Sequence, residues 1–232
     1  MESFFSTINP AYCFVLAAFL LAVFAISLVY FKKSKNVLFL LIGLVSFGLF
    51  YDTIITGLGY QLESFGGYYF IGMMRHVFHG FLTPLIFIFV LKVCHDCNLL
   101  LAKKYTYITY GFVVVVIIWA IVAVFTSPVD LIDYGGVIRH SIDKDNAFIL
   151  SALILKFLSF GTLIPMTIGA VVSIKYKKDY NILIATVMML AFTMVGVIID
   201  SDLTFLTSFV GEAFLVTFFF KYAYDQHIKV KA

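Results

Sequence analysis

Charged side chains are scarce in this chain: they make up 12% of its 232 residues, against about 25% in an ordinary soluble domain. Hydrophobic residues make up 62%, which excludes a water-soluble globular domain and indicates a multi-pass membrane protein. No arginine-rich patch is present, and the net charge of +3 comes largely from lysines in short segments between apolar runs. No nucleic acid partner is therefore expected, and the expected partners are membrane lipids.

Basic residues near the N-terminus and cysteines are also scarce, and both bear on where the segments of the chain lie. Segment 1–12 has no basic residue, unlike a secretory signal, so we expect the first apolar run to be retained as a membrane span. Cysteine occurs three times, at Cys13, Cys94 and Cys97. The last two fall on the predicted cytosolic side, where disulfides rarely persist.

Seven apolar runs of roughly 20 residues fill the chain, and each is long enough to cross the hydrocarbon core as a helix. Short polar segments separate them, apart from a longer loop at 126–146 and a tight hairpin at 200–202. We therefore predict an all-α membrane protein, a single seven-helix transmembrane bundle over 1–232. The runs lie at about 12–30, 37–58, 68–91, 105–125, 147–174, 180–199 and 203–220.

Basic residues are distributed unequally between the two ends of these spans. Of the 16 basic residues, Arg75 and Lys156 fall inside spans and Arg139 and Lys144 lie at one end, which leaves 12 at the other. By the positive-inside rule the N-terminus is outside and the C-terminus is cytoplasmic. We expect the protein to be integral to the plasma membrane. The 12 residues are Lys32, Lys33, Lys35, Lys92, Lys103, Lys104, Lys175, Lys177, Lys178, Lys221, Lys229 and Lys231.

The third span carries the densest group of polar side chains. Arg75, His76, His79 and Thr83 fall within one arc of about 100° on a helix. Histidines three residues apart can ligate one metal ion or share a proton. The same residues could instead hold the bundle together as interhelical hydrogen-bonding groups.

Three other residues shape the surroundings of this group. Gly72 lies in the same arc and would let a neighbouring helix approach. Pro84 is expected to kink the span, because it cannot donate to the carbonyl one turn before it. His140 in the longer loop could fold over the group as a third imidazole.

Ionisable residues occur at a similar depth in three other spans. Asp52 lies in the outer third of the second span, Lys156 about nine residues into the fifth, and Glu212 about 15 Å below the outer end of the seventh. Such residues are retained where they face the bundle interior and find partners. We therefore expect them to share one outward-opening chamber with the third-span group. Two plain ion pairs, Asp52 with Arg75 and Lys156 with Glu212, are the alternative.

The leading functional hypothesis is a metal-dependent hydrolase or transferase acting on a lipid. His76, His79 and Asp52 would hold a divalent metal, for which zinc is expected, and the metal would lower the pKa of a bound water. Asp52 and Glu212 are the candidate catalytic carboxylates.

Four residues are candidates for binding the substrate of that enzyme. Two of them are cations that would hold a phosphate or carboxylate headgroup, and two are hydroxyl residues on the same helices as the histidines and Glu212. The cations are Arg75 and Lys156, and the hydroxyl residues are Thr83 and Ser208.

Two other classes of protein fit the same residues. One is a sensor or receptor whose bundle rearranges when a proton or a small ligand binds near the histidines. The other is a proton- or cation-coupled transporter in which Asp52 and Glu212 carry the ion. The transporter lacks a visible internal repeat and a polar path through the cytoplasmic half. The oligomeric state stays open.

Part of the third span resembles the third helix of microbial rhodopsins, which also have seven helices with the N-terminus outside. The resemblance covers Arg75 and the Thr-Pro-Leu of 83–85. The seventh span has Glu212 near the place where those proteins carry the retinal lysine, and Lys221 lies at the cytoplasmic edge. No retinal is therefore expected, and the resemblance implies a rhodopsin-like scaffold without its chromophore.

The chain is also similar in plan to the alkaline ceramidase and adiponectin receptor superfamily of seven-helix intramembrane zinc hydrolases. Members of that superfamily use three histidines, an aspartate and a serine. Here both intramembrane histidines, His76 and His79, lie in the third span and none lies in the seventh. The similarity therefore implies the chemistry of an intramembrane zinc site without assigning its residues one by one.

Overall fold

The computed structural model describes residues 2–134, 136–143, 148–199 and 204–231. The predicted hairpin at 200–202 and Lys144 lie outside these residues. The described parts hold ten helices and one two-stranded hairpin. The elements are α1 (Glu2–Ser34), α2 (Val37–Gly57), α3 (Gly59–Leu62), α4 (Tyr68–Leu82), α5 (Leu85–Asp96), α6 (Leu100–Thr126), β1 (Val129–Asp133), β2 (Ile138–Ile142), α7 (Ile149–Phe160), α8 (Leu163–Lys177), α9 (Asn181–Ile199) and α10 (Thr204–Lys231).

Six stretches of helix in the described chain are long and apolar enough to cross a membrane. They confirm an all-α, multi-pass membrane protein. The apolar stretch of α9, Asn181–Val195, is shorter than the other six. The six are Asn9–Ser34, Val37–Gly57, Tyr68–Asp96, Ala102–Thr126, Ile149–Lys177 and Leu206–Ile228.

Two of these spans are broken near their middle. The kink predicted at Pro84 is confirmed, because α4 ends at Leu82 and α5 begins at Leu85. The second break, between α7 and α8, was not predicted. Pro165 has no N–H to donate to the carbonyl of Gly161, and the helix interrupts at that carbonyl.

The main hydrophobic core lies between α1, α2, α5, α8, α9 and α10. Phe89 of α5 and Phe219 of α10 stack face to face at its centre, with ring centroids 4.2 Å apart. A smaller cluster joins α6 to α7 through residues such as Ala120 and Ile154. Helices α6 and α7 therefore stand at the edge of the bundle.

The predicted loop at 126–146 contains an antiparallel hairpin, β1 with β2, in which Leu131 pairs with His140. The hairpin packs on the ends of α3 and α4. A Cβ at Gly59 would lie 1.8 Å from the carbonyl oxygen of Ile138, so this contact requires glycine. The hydroxyl of Tyr68 donates to the same oxygen at 2.7 Å. The hairpin thus covers the N-terminal end of α4.

Candidate functional site

An ion pair between α2 and α4 lies at the centre of the candidate site. The Nε of Arg75 is 2.9 Å from Oδ1 of Asp52, although its N–H is not aligned with that oxygen. The hydroxyl of Thr56 donates to the same carboxylate oxygen at 3.3 Å. The helices come this close because Gly48 has no side chain: a Cβ there would lie 2.2 Å from Leu82. The first of the two predicted ion pairs is therefore present.

The backbone of the hairpin completes the surroundings of Arg75. Its Nη1 donates to the carbonyl oxygen of His140 at 3.0 Å. The Nε2 of His76 lies 3.1 Å from the same oxygen and must carry the proton there, since a carbonyl oxygen only accepts. Arg75 is only 2% exposed, so it lies buried beneath the hairpin. The outward-opening chamber expected from the sequence stays a prediction.

The imidazole of His140 is packed away from the ion pair. It rests on Gly72, where a Cβ would lie 2.2 Å from Nδ1, and between the rings of Tyr68 and Tyr69 at 4.7 and 5.5 Å. Gly72 thus admits the hairpin rather than a neighbouring helix. Burial, and then the charge of Arg75, hold the pKa of His140 below its usual range.

Glu212 of α10 approaches the ion pair from a third helix. It is partly buried and lies within electrostatic range of both Asp52 and Arg75. Tyr12 of α1 donates its hydroxyl to the carbonyl oxygen of Leu206 at 2.7 Å, which fixes the start of α10 beside the site. We call Asp52, Arg75, His76 and Glu212 the ionisable cluster. It holds two carboxyl groups for one guanidinium.

The remaining third-span residues lie next to this cluster. His79 is partly buried and interacts electrostatically with His76. Thr83 follows the last residue of α4, and its N–H donates to the carbonyl oxygen of His79 at 3.0 Å. Ser208 is partly buried one turn before Glu212 on α10. The roles predicted for these residues stay predictions.

Lys156 is not part of the cluster. It lies on α7, which packs against α6, and its side chain is exposed on the surface of the bundle. Among the described residues no ion pair joins Lys156 to Glu212. The second predicted ion pair is therefore absent, because the azimuth of α7 turns Lys156 away from the interior.

The described residues do not form a ready metal centre. Within 2–134, 136–143, 148–199 and 204–231, no three His, Cys, Asp or Glu side chains converge where they could hold an ion. Nε2 of His76 is directed at the carbonyl oxygen of His140. The zinc expected from the sequence does not fit this arrangement as it stands, and the proposed ligand set stays a prediction.

A small apolar cavity lies on the far side of the cluster. This cavity, between α2, α5 and α10, begins about one helical turn beyond Glu212 and has no polar atom in its lining. Such a cavity stays dry and gives a proton or a cation no partner. The lining residues are Leu41, Ile42, Val45, Leu85, Ile86, Phe89, Leu215, Val216 and Phe219.

Sequence reasoning missed the hairpin as a component of the site. The burial of β2 alternates from residue to residue, as in a half-buried strand. The sequence hides this pattern, because the three central residues, 139–141, are all polar. The sequence suggested that His140 could contribute its imidazole to the site. In the structure its backbone carbonyl oxygen contacts Arg75 instead.

A scan of protein-family models and a search of curated proteins both found no match for this chain. Its function is therefore argued from the site alone.

Proposed function

We propose that this protein is a seven-helix sensor of the plasma membrane, with its N-terminus outside and its C-terminus in the cytoplasm. In this proposal a proton or a small ligand binds at the ionisable cluster, and the hairpin moves in response. In this proposal α9 is the seventh span; its 19 residues extend over about 28 Å. The lysine-rich helix ends supply the orientation.

The observation that carries the proposal is the double contact of Arg75. One guanidinium faces both the carboxylate of Asp52 and the carbonyl oxygen of His140. Any change in the charge of Asp52 therefore alters the balance between the two contacts. Because the hairpin contact uses a backbone oxygen, a shift of Arg75 acts on the path of β2 directly.

The charges of the cluster give the proton a place to bind. Two carboxyl groups and one guanidinium leave one negative charge unpaired if both carboxyl groups ionise, and an unpaired buried charge is costly. One proton on Asp52 or Glu212 removes that excess. His76 and His79 face the same region, together with the hydroxyl of Tyr12 and the thiol of Cys13.

The metal-dependent lipid hydrolase and the coupled transporter stay predictions. The hydrolase needs three ligands at one point, and the transporter needs polar groups beyond the cluster. Elemental analysis of protein purified without chelator tests the first: near-stoichiometric zinc that disappears in His76→Ala/His79→Ala would favour the hydrolase over the sensor. Ion flux in proteoliposomes that disappears in Asp52→Asn would favour the transporter.

A distance measurement across the bundle tests the sensor. Spin labels would be placed at Leu131 on the hairpin and at Tyr107 on α6, both exposed, with the native cysteines replaced. The inter-label distance would be measured in bilayers at about pH 5 and about pH 8, the range in which histidine changes charge. We expect the distribution to change between the two values.

The matched control is Asp52→Asn, which keeps the size of the side chain and removes its charge. Both proteins would carry His140→Gln, so that the imidazole on the hairpin does not titrate. We expect the Asp52→Asn variant to give nearly the same distribution at both pH values, because the charge that balances Arg75 no longer varies. An unchanged distribution in the protein that keeps Asp52 would show that the cluster does not move the hairpin, and the sensor proposal would be lost.

A further inference from the structure

Lys156 presents a separate problem, because it is a charged side chain on the membrane-facing surface of a spanning helix. Its exposed neighbours on the same side of α7 are Ile149 and Leu153, which are 70% and 54% exposed. On α6, the helix beside it, Val122 is 53% exposed. Lys156 thus emerges from an apolar surface that faces lipid, where an unpaired charge is costly.

The depth of Lys156 follows from the contact between α6 and α7. Thr126 at the end of α6 lies beside Ser151, their hydroxyl oxygens 3.3 Å apart. Roughly 22 residues separate Lys104 from Thr126, or about 33 Å of helix, which matches the hydrocarbon thickness. Lys156 lies about 7 Å below Ser151 by the same rise. Its flexible four-carbon stem can therefore bring the ammonium to the headgroups at the hairpin end.

The described part of a second copy of this chain offers this ammonium no carboxylate at the depth of Lys156. Asp130 and Asp133, which are exposed carboxylates at this end of the bundle, lie on the hairpin. Among the described side chains, no carboxylate is exposed to lipid at the depth of Lys156. Asp52 faces the interior and is 8% exposed, and Glu212 lies in the ionisable cluster. The anion that every phospholipid supplies at the headgroup level, within reach of this ammonium, is its phosphate.

We propose that Lys156 binds the phosphate of a phospholipid headgroup in the leaflet at the hairpin end of the bundle. The ammonium donates charge-assisted hydrogen bonds to the phosphate oxygens, while an acyl chain lies along the apolar surface around Leu153. This site is independent of the ionisable cluster and of the sensor proposal.

Lipid binding in a phosphate-free detergent tests the proposal. Full-length protein in a maltoside detergent would be titrated with phosphatidic acid, and bound lipid counted by native mass spectrometry. Diacylglycerol with the same acyl chains is the control lipid. We expect Lys156→Met to weaken the first phosphatidic acid by about tenfold, the change that loss of a charge-assisted hydrogen bond gives. Diacylglycerol binding should not change.

Two further variants separate this site from general attraction to lysines. Lys156→Arg keeps the cation and should retain the tight phosphatidic acid. Lys104→Met removes a lysine at the opposite end of α6 and should leave that binding unchanged. Equal binding by Lys156→Met and the unsubstituted protein would overturn the proposal. A second result would also overturn it: Lys156→Met loses a dimer or a co-purifying protein while lipid binding stays intact. The partner of Lys156 would then be a protein.

Discussion

Arg75 and Lys156 occupy equivalent places in their helices and have opposite surroundings. Each lies seven residues after the first residue of its helix, Tyr68 in α4 and Ile149 in α7. Arg75 is 2% exposed and pairs with Asp52, whereas Lys156 is exposed on the surface of the bundle. Equal depth along a span therefore does not decide whether a cation is buried.

The difference between them comes from the helices that surround each one. Helix α4 contacts both α2 and α6 and is covered by the hairpin, so a face rich in polar residues is turned inward. Within the part of the chain that the structure describes, helix α7 makes its main contacts with α6 alone, so most of its circumference meets lipid. A cation in the first setting needs a protein partner, and one in the second can reach headgroups.

The largest expected effect comes from removing the buried cation. Arg75→Met should destabilise the folded protein by about 3–5 kcal/mol, because it leaves the carboxylate of Asp52 buried without its partner. Unfolding in detergent micelles, followed by circular dichroism, would measure it. Lys92→Met breaks a partly exposed pair with Asp96 and should cost at most about 1 kcal/mol.

A double variant sharpens the same comparison. Arg75→Met combined with Asp52→Leu removes both charges and should recover much of the lost stability, since apolar pairs often replace buried ion pairs without loss. If the double variant is as unstable as Arg75→Met alone, the ion pair is not the reason for the burial of Arg75.

The next effect tests the fit of the hairpin on α4. Gly72→Ala should destabilise by about 1–3 kcal/mol, because its Cβ would lie 2.2 Å from Nδ1 of His140. Gly111→Ala in α6 is the matched control. It meets nothing within 4 Å and should stabilise by up to about 1 kcal/mol through helix propensity. Thermal unfolding of the two variants would measure the two changes in stability. Equal changes would mean that Gly72 does not hold the hairpin on α4.

The pH dependence of hairpin docking should be smaller. The pKa of His140 is lowered in the folded state, so the undocked imidazole binds a proton more readily than the docked one. Docking should therefore weaken as the pH falls below about 6.5, by at most about 1.4 kcal/mol per pH unit. Amide hydrogen exchange of residues 129–142 would measure this. His140→Gln should remove the part of the pH dependence of exchange that comes from His140. If the pH dependence is the same in this variant, other groups cause it.

The smallest effect is expected at the exposed cation. Lys156→Met should change the stability in micelles by less than about 0.5 kcal/mol, because the side chain has no partner among the described residues. Unfolding measured beside Arg75→Met would show the contrast. A loss of several kcal/mol in Lys156→Met would mean that this lysine has a protein partner after all.

Much of the membrane architecture follows from the sequence, and much of the site does not. The apolar runs predict spans because backbone polar groups in lipid must be satisfied within each helix. The kink at Pro84 follows from its missing N–H. The pairing of Asp52 with Arg75 was one of the combinations expected, since both lie at one depth. The pairing of Lys156 with Glu212 was equally consistent with the sequence and is absent.

The sequence alone determined the class of protein, the approximate depth of each ionisable residue and the face of α4 that carries its polar groups, because hydropathy and helical period are local properties. The tertiary structure decided which of these residues meet. Azimuth between helices, the approach of α2 to α4 at Gly48, and the docking of β2 on Gly72 depend on contacts between segments far apart in the chain. For that reason the carbonyl of His140, which carries no sequence signal of its own, became a part of the site only in the folded bundle.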